Sequence, residues 1–224
     1  LFSALYPALL PAVVATVLTA WSALPARAQM FKDGTLQALY ASQRTAELEA
    51  ASQQRLAHQA DDAQAVLGLA MVALQADDAA RREAALQRAR TCIRQQPQAA
   101  ECHYALGAVL GVHAMQQGLV KAATSVGTVK DALLQALALA PQWYPARSAV
   151  VEFHLLVPAL MGGGSGRARD VAHAAPRPEQ VQAFDGRIAL AEQRPEAALA
   201  LLQAVPTAAD AALAEDVSAW TADA

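Results

Sequence analysis

Residues 63–74 read AQAVLGLAMVAL and residues 102–113 read CHYALGAVLGVH. Both carry a Leu-Gly pair at the same place, Leu67-Gly68 and Leu106-Gly107. Apolar side chains recur in each at spacings of three and four, the mark of a helix with one buried stripe. A glycine inside such a helix costs about 1 kcal/mol relative to alanine. Close approach of a second helix, which a side chain would obstruct, accounts for that cost. A second amphipathic segment does follow each time, ALQRARTCIRQQP (85–97) and ALLQALALAP (132–141). Each stops at a proline, Pro97 and Pro141, whose ring blocks continuation of a helix. A third copy, AFDGRIALA at 183–191, has Gly186 in the matching place. Helical hairpins recur along the chain, and strand-type runs are almost absent after residue 30. The expected class is all-α.

This pattern resembles the tetratricopeptide repeat, a unit of about 34 residues in two antiparallel helices. The resemblance covers residues 61–205 and implies a short right-handed solenoid of helical hairpins. It assigns the small positions of the units to Gly68, Ala85 and Cys92, to Gly107, Val129 and Ala136, and to Gly186, Ala198 and Val205. From glycine to the first small residue of the second helix the last unit has the family's twelve residues, whereas the first has seventeen and the second twenty-two. QQGLVKAATSVG (116–127) supplies most of the surplus in the second unit and is expected to extend that hairpin. The unit beginning near Tyr144 has Val150-Val151 where Leu-Gly is expected. In the family, the inward face of the first helices lines a concave groove for a partner. The resemblance puts Tyr104, Ser148, Glu152 and Arg187 at such positions; the alternative is that each is a solvated helix residue.

PALMGGGSGRARDVA (158–172) poses a separate question. Its run Gly162-Gly163-Gly164-Ser165 could cradle a phosphate or simply turn the chain. A P-loop needs a preceding strand and the sequence GxxxxGK[ST], and a dinucleotide site needs GxGxxG in a βαβ unit. Neither is present. The run is expected to be the turn between the two helices of the third unit, with Ser165 as N-cap. A Pro-x-x-x-Gly-Gly turn at this place is similar to that of some bacterial members of the family. Arg167 and Arg169 keep anion binding at the helix start as the alternative.

Residues 4–20 are continuously apolar and lead to Ala26-Arg27-Ala28, the small-x-small arrangement of a signal peptidase site. Residues 1–28 are therefore expected to be a secretory signal peptide, with Gln29 as the mature N-terminus. No Lys or Arg precedes the apolar run, for which a true start upstream of Leu1 is the expected account. Pro7, Pro11 and Pro25 weigh against an anchor, so the mature chain is expected to have no membrane span. Residues 29–60 then form an N-terminal helical segment, 61–205 the repeat domain and 206–224 a capping segment anchored by Trp220. Export also bears on Cys92 and Cys102. They lie five residues either side of Pro97, hence at equal height on two antiparallel helices. A disulfide and a pair of buried apolar thiols both fit that placement.

A formal net charge of −3 gives no footprint for nucleic acid. The five histidines, His58, His103, His113, His154 and His173, show no metal-ligand spacing, and no GxSxG or HExxH motif occurs. The expectation is a periplasmic protein-interaction or scaffold module without catalysis, metal or cofactor, taking a protein or peptide in its concave face. An accessory component of a solute-uptake system, binding a small molecule, is the alternative. An enclosed pocket would mark the second and an open groove the first.

Overall fold

The computed structural model describes residues 29–206 and 211–224; the expected leader, residues 1–28, lies outside them. Among the described residues there are eleven α-helices and no strand. They are α1 (Gly34–Ala41), α2 (Thr45–His58), α3 (Ala63–Gln75), α4 (Ala79–Gln95), α5 (Ala100–Gln116), α6 (Leu119–Leu139), α7 (Tyr144–Leu156), α8 (Ser165–His173), α9 (Pro178–Ala191), α10 (Pro195–Gln203) and α11 (Ala211–Ala222). Acidic residues start three of them. Asp33, Asp62 and Asp78 each accept backbone N–H bonds from the first turn of α1, α3 and α4, a cap contributing about 1 kcal/mol. Arg55 of α2 donates to both Asp33 and Asp62, fastening the beginnings of α1 and α3 together.

Residues 34–58 of the N-terminal segment form the pair α1 and α2. Gln43 adopts a left-handed φ of 55°. The N–H groups of Gln43 and Arg44 then donate back to the carbonyls of Tyr40 and Leu39, a Schellman ending. Glutamine is an unusual residue there, so the sequence carries no glycine to announce the break. The inserted segment, in turn, is helical from Leu119, because the chain reverses within two residues at Gly118, whose φ is 99°.

Glycine–helix contacts set the packing. A Cβ on Gly107 of α5 would lie 2.7 Å from Leu133 Cδ2 of α6, and one on Gly186 of α9 would lie 2.7 Å from Leu202 Cδ2 of α10. Gly68 does the same work for a different neighbour. Its Cβ would meet Ser52 Oγ of α2 at 2.1 Å, so it admits the preceding helix rather than α4. α4 and α6 end in matching fashion. Gln96 and Ala140, the residues before Pro97 and Pro141, leave the helix at φ/ψ of −132°/74° and −136°/70°, as the proline ring demands. Apolar side chains form two cores. One runs from Phe31 through α2–α6 to Ala146, Val150 and Phe153 of α7. The other joins Tyr144 and Val151 of the same helix to Phe184, Ile188, Leu202, Leu213 and Trp220. α7 therefore gives opposite faces to the two cores and exposes a third edge between them.

Candidate functional site

That third edge is the floor of a cleft of about 450 Å³. Tyr144, Ser148 and Glu152 follow one another at intervals of four along α7 and so share one stripe. All three line the cleft, joined by Tyr104 of α5, Met30, Gln37 and Tyr40 from the N-terminal segment and α1, and Glu215 and Asp216 of α11. α11 is drawn in by its apolar stripe. Leu213, Val217 and Trp220 are buried in the second core, which turns the next face of the helix toward α7. The Asp216 carboxylate accepts a hydrogen bond of 2.6 Å from the Tyr144 hydroxyl and one of 2.8 Å from Ser148 Oγ. Across the cleft, the Trp143 indole Nε1 donates to the carbonyl of Gln29 at 2.9 Å, holding the start of the described chain.

Carboxylates dominate the electrostatics. Burial pushes the Asp216 carboxyl above the usual carboxylate range. The Tyr144 and Ser148 hydrogen bonds oppose this, while Glu152 and Glu215 reinforce it. The same surroundings raise the Tyr40 hydroxyl, through burial first and then Glu215 and Asp216. Tyr104 is only 8% exposed, and its hydroxyl is pushed well above the normal range by burial, with smaller contributions from Tyr40 and Asp216. Its hydroxyl has no hydrogen-bond partner among the described residues. The rings are braced from behind: Tyr104 packs on Trp143 at 4.9 Å between centroids, and Tyr144 stacks on Phe184 at 5.5 Å.

Of the four residues named from the sequence, the structure brings Tyr104, Ser148 and Glu152 to this cleft. Arg187 stands one step out. Its Nε and Nη2 donate to the two Glu152 carboxylate oxygens at 2.6 and 2.8 Å, a two-point pair joining α9 to α7. Tyr144 was within reach of sequence reasoning, since it precedes Ser148 by one turn. Tyr40, Glu215 and Asp216 were not, because they arrive on terminal helices with no counterpart in the repeat pattern.

The glycine run is a turn, with the cap in a different register. Gly164, at φ 107°, occupies the N-cap of α8, and Ser165 is the first helical residue. The run is held by its own backbone: Gly163 N–H donates to the Pro158 carbonyl and Gly164 N–H to that of His154, at 3.1 and 2.6 Å. His154 Nδ1 donates to the Gly162 carbonyl at 3.0 Å, which fixes its tautomer. Gly163 needs close approach rather than positive φ, since a Cβ there would fall 1.7 Å from the Val157 carbonyl oxygen. The two arginines that favoured an anion are engaged elsewhere. Arg167 donates to the Gly163 carbonyl and Arg169 to Glu192, both at 2.8 Å.

Cys92 of α4 and Cys102 of α5 are joined by a disulfide, with Cα atoms 5.7 Å apart. Among the described residues no group of three His, Cys, Asp or Glu side chains could hold a metal ion, and no helix is long and apolar enough to cross a membrane.

A solved structure of the same build is a thermophilic TPR protein of Thermus thermophilus, with a TM-score of 0.65. The match covers 83% of this chain and 95% of that one. The fold is that of the tetratricopeptide repeat. At 17% identity the likeness speaks for the fold alone. No protein-family model and no curated protein matches the sequence. In the tetratricopeptide frame α3, α5, α7 and α9 are the first helices of successive hairpins, and the cleft is built on two of them, α5 and α7.

Proposed function

We propose that this chain is a non-catalytic binding module of the periplasm that receives part of a protein or peptide partner in the cleft over α5 and α7. The observation that carries this is the convergence of Tyr104, Tyr144, Ser148 and Glu152 on one cleft, the first two at the edges of the two cores and the last two between them. Polar groups set on rigid helices among braced aromatic rings suit recognition, since they hold their geometry before the partner arrives. Export rests on the sequence pattern of residues 1–28. α1 and α11 bound the cleft at either side, so a partner enters as a side chain or a chain end rather than as a long segment laid through. The same boundedness favours the second reading, a small-molecule site in a solute-uptake system, because the volume lies within the range of small-ligand pockets.

A photo-crosslinking residue at position 149, whose Ala149 lines the cleft, tests the proposal in periplasmic extract of the native host. One placed at exposed Arg88 of α4 is the control. The expected result is a single protein adduct at 149 that the control position does not give. Adducts that are the same at both positions would sink the protein-partner reading. The mature N-terminus is read in the same material by mass spectrometry, with Gln29 the expected first residue.

A further inference from the structure

We infer that the cleft is a receptor for an organic cation, namely the ammonium or guanidinium end of a lysine or arginine side chain carried by the partner. This rests on the cleft being the face that receives the partner. Three kinds of observation converge on that chemistry. First, its ionisable lining is acidic: Glu152, Glu215 and Asp216. Arg187 is committed to Glu152 from outside the lining through both carboxylate oxygens, and no Lys or Arg is among the residues that line the cleft. Glu215 and Asp216 form no ion pair among the described residues. The Asp216 carboxylate is held by two neutral hydroxyl donors, Tyr144 and Ser148, which fix its position without cancelling its charge.

Second, Tyr40 and Tyr104 line the cleft beside those carboxylates, while Tyr144, only 2% exposed, meets Asp216 through its hydroxyl. Aromatic faces attract organic cations and give nothing comparable to an anion. Tyr104 and Tyr144 are braced by Trp143 and Phe184, so their rings are set in advance. Third, Tyr104 lines the cleft with more than nine-tenths of the residue buried, and its hydroxyl has no hydrogen-bond partner among the described residues, so a ligand group can meet it there. A bare metal ion fits poorly, because the described residues hold no cluster of three ligating groups. A side-chain cation fits the combination of one fixed carboxylate, one exposed carboxylate and π faces.

The probes are blocked tripeptides, acetyl-Gly-X-Gly-amide, with X as Lys, Arg, Gln or Glu, and cadaverine as a free small cation. Binding is read as shifts of the Ser148 and Ala149 amide signals and of the Tyr104 ring signals in NMR spectra of the 29–224 protein. The Lys and Arg peptides are expected to shift these signals at millimolar concentration, with at least tenfold weaker response to Gln and none to Glu. Glu215→Gln, which removes no hydrogen bond from the fold, is expected to weaken the Lys and Arg peptides at least threefold, and Asp216→Asn at least tenfold. The response should also fall as salt rises from 20 to 300 mM. Equal binding of Gln and Lys peptides, or no response to either cationic peptide up to about 10 mM, overturns the cation assignment. So does unchanged affinity in Glu215→Gln. An adduct at position 149 together with a silent Lys and Arg series would retain the binding module and remove only the cation. Cadaverine binding tighter than both peptides would move the ligand from a partner's side chain to a free amine, and would overturn the side-chain assignment.

Discussion

The hairpins α5–α6 and α9–α10 use the same device at very different sizes. In both, a glycine of the first helix faces a leucine of the second, with a virtual Cβ 2.7 Å from the nearer leucine methyl. Yet Gly107 and Leu133 are 26 residues apart, while Gly186 and Leu202 are 16 apart. The surplus is placed with care for helical phase. Beyond its glycine α5 runs four residues further than α9, and before its leucine α6 runs seven further than α10. Four and seven are close to one and two turns of 3.6 residues. The added turns lengthen the arms and leave the crossing point as it was. The small residue fixes where two helices meet and says little about how far they go on.

Deletions give the sharpest break of that comparison. Removing residues 113–116 together with 119–125 gives α5 and α6 the arm lengths of α9 and α10. The variant is expected to keep a single cooperative melt by circular dichroism. Removing 115–116 with 119–127 takes out the same number of residues but half a turn out of phase on both arms. It is expected to lose that cooperative transition, and equal melts for the two variants would mean that phase is irrelevant here.

The third unit lacks the Leu-Gly device and relies on its glycine turn, so Gly163→Ala should be the most damaging point change. A Cβ 1.7 Å from a backbone oxygen cannot be accommodated by moving a side chain. A loss of about 3 kcal/mol in urea denaturation is expected, the upper end of overpacking. The short hairpin has no counterpart to the disulfide that joins α4 to α5. Cys92→Ala with Cys102→Ala should therefore cost about 2–3 kcal/mol on the chain-entropy account of so short a loop. Thiol titration of the unfolded protein, purified from its native host without reductant, should find no free thiol. Smallest of all are Gly107→Ala and Gly186→Ala. Each should cost about 1–2 kcal/mol, overpacking partly offset by better helix propensity. A penalty at Gly186 alone would show that the added turns loosen the crossing.

Much of this architecture was legible because repeats restate their own rules. Leu106-Gly107, Gly186, Pro97 and Pro141 mark helix crossings and ends by residue types that have few other uses there. Gln43 was not legible, since the backbone turn it makes is normally announced by glycine. Ser165 was placed one residue off, because the N-cap has a φ of 107°, which glycine adopts readily and serine does not, and the run offers a glycine, Gly164, just before Ser165. Gly68 was assigned to the wrong neighbour, since the sequence shows that a helix must come close but not which one. Three of the four positions that the resemblance put in a groove, Tyr104, Ser148 and Glu152, line the cleft. Asp216 was not among them. Its partners lie 72 and 68 residues away, and nothing local in AEDVSAW distinguishes it from any solvated acid.

The hydrogen bonds of Trp143 and Tyr144 bear on how the chain folds. In a linear array each unit touches only its neighbours, so folding starts anywhere and the extremities fray first. Here two adjacent residues reach far along the chain, Trp143 to Gln29 across 114 residues and Tyr144 to Asp216 across 72. Closing loops of that length carries an entropic cost that purely local hairpins never meet. That cost predicts that the central joint closes after the hairpins on either side of it, so that Trp143→Phe should speed unfolding more than it slows folding in stopped-flow measurements.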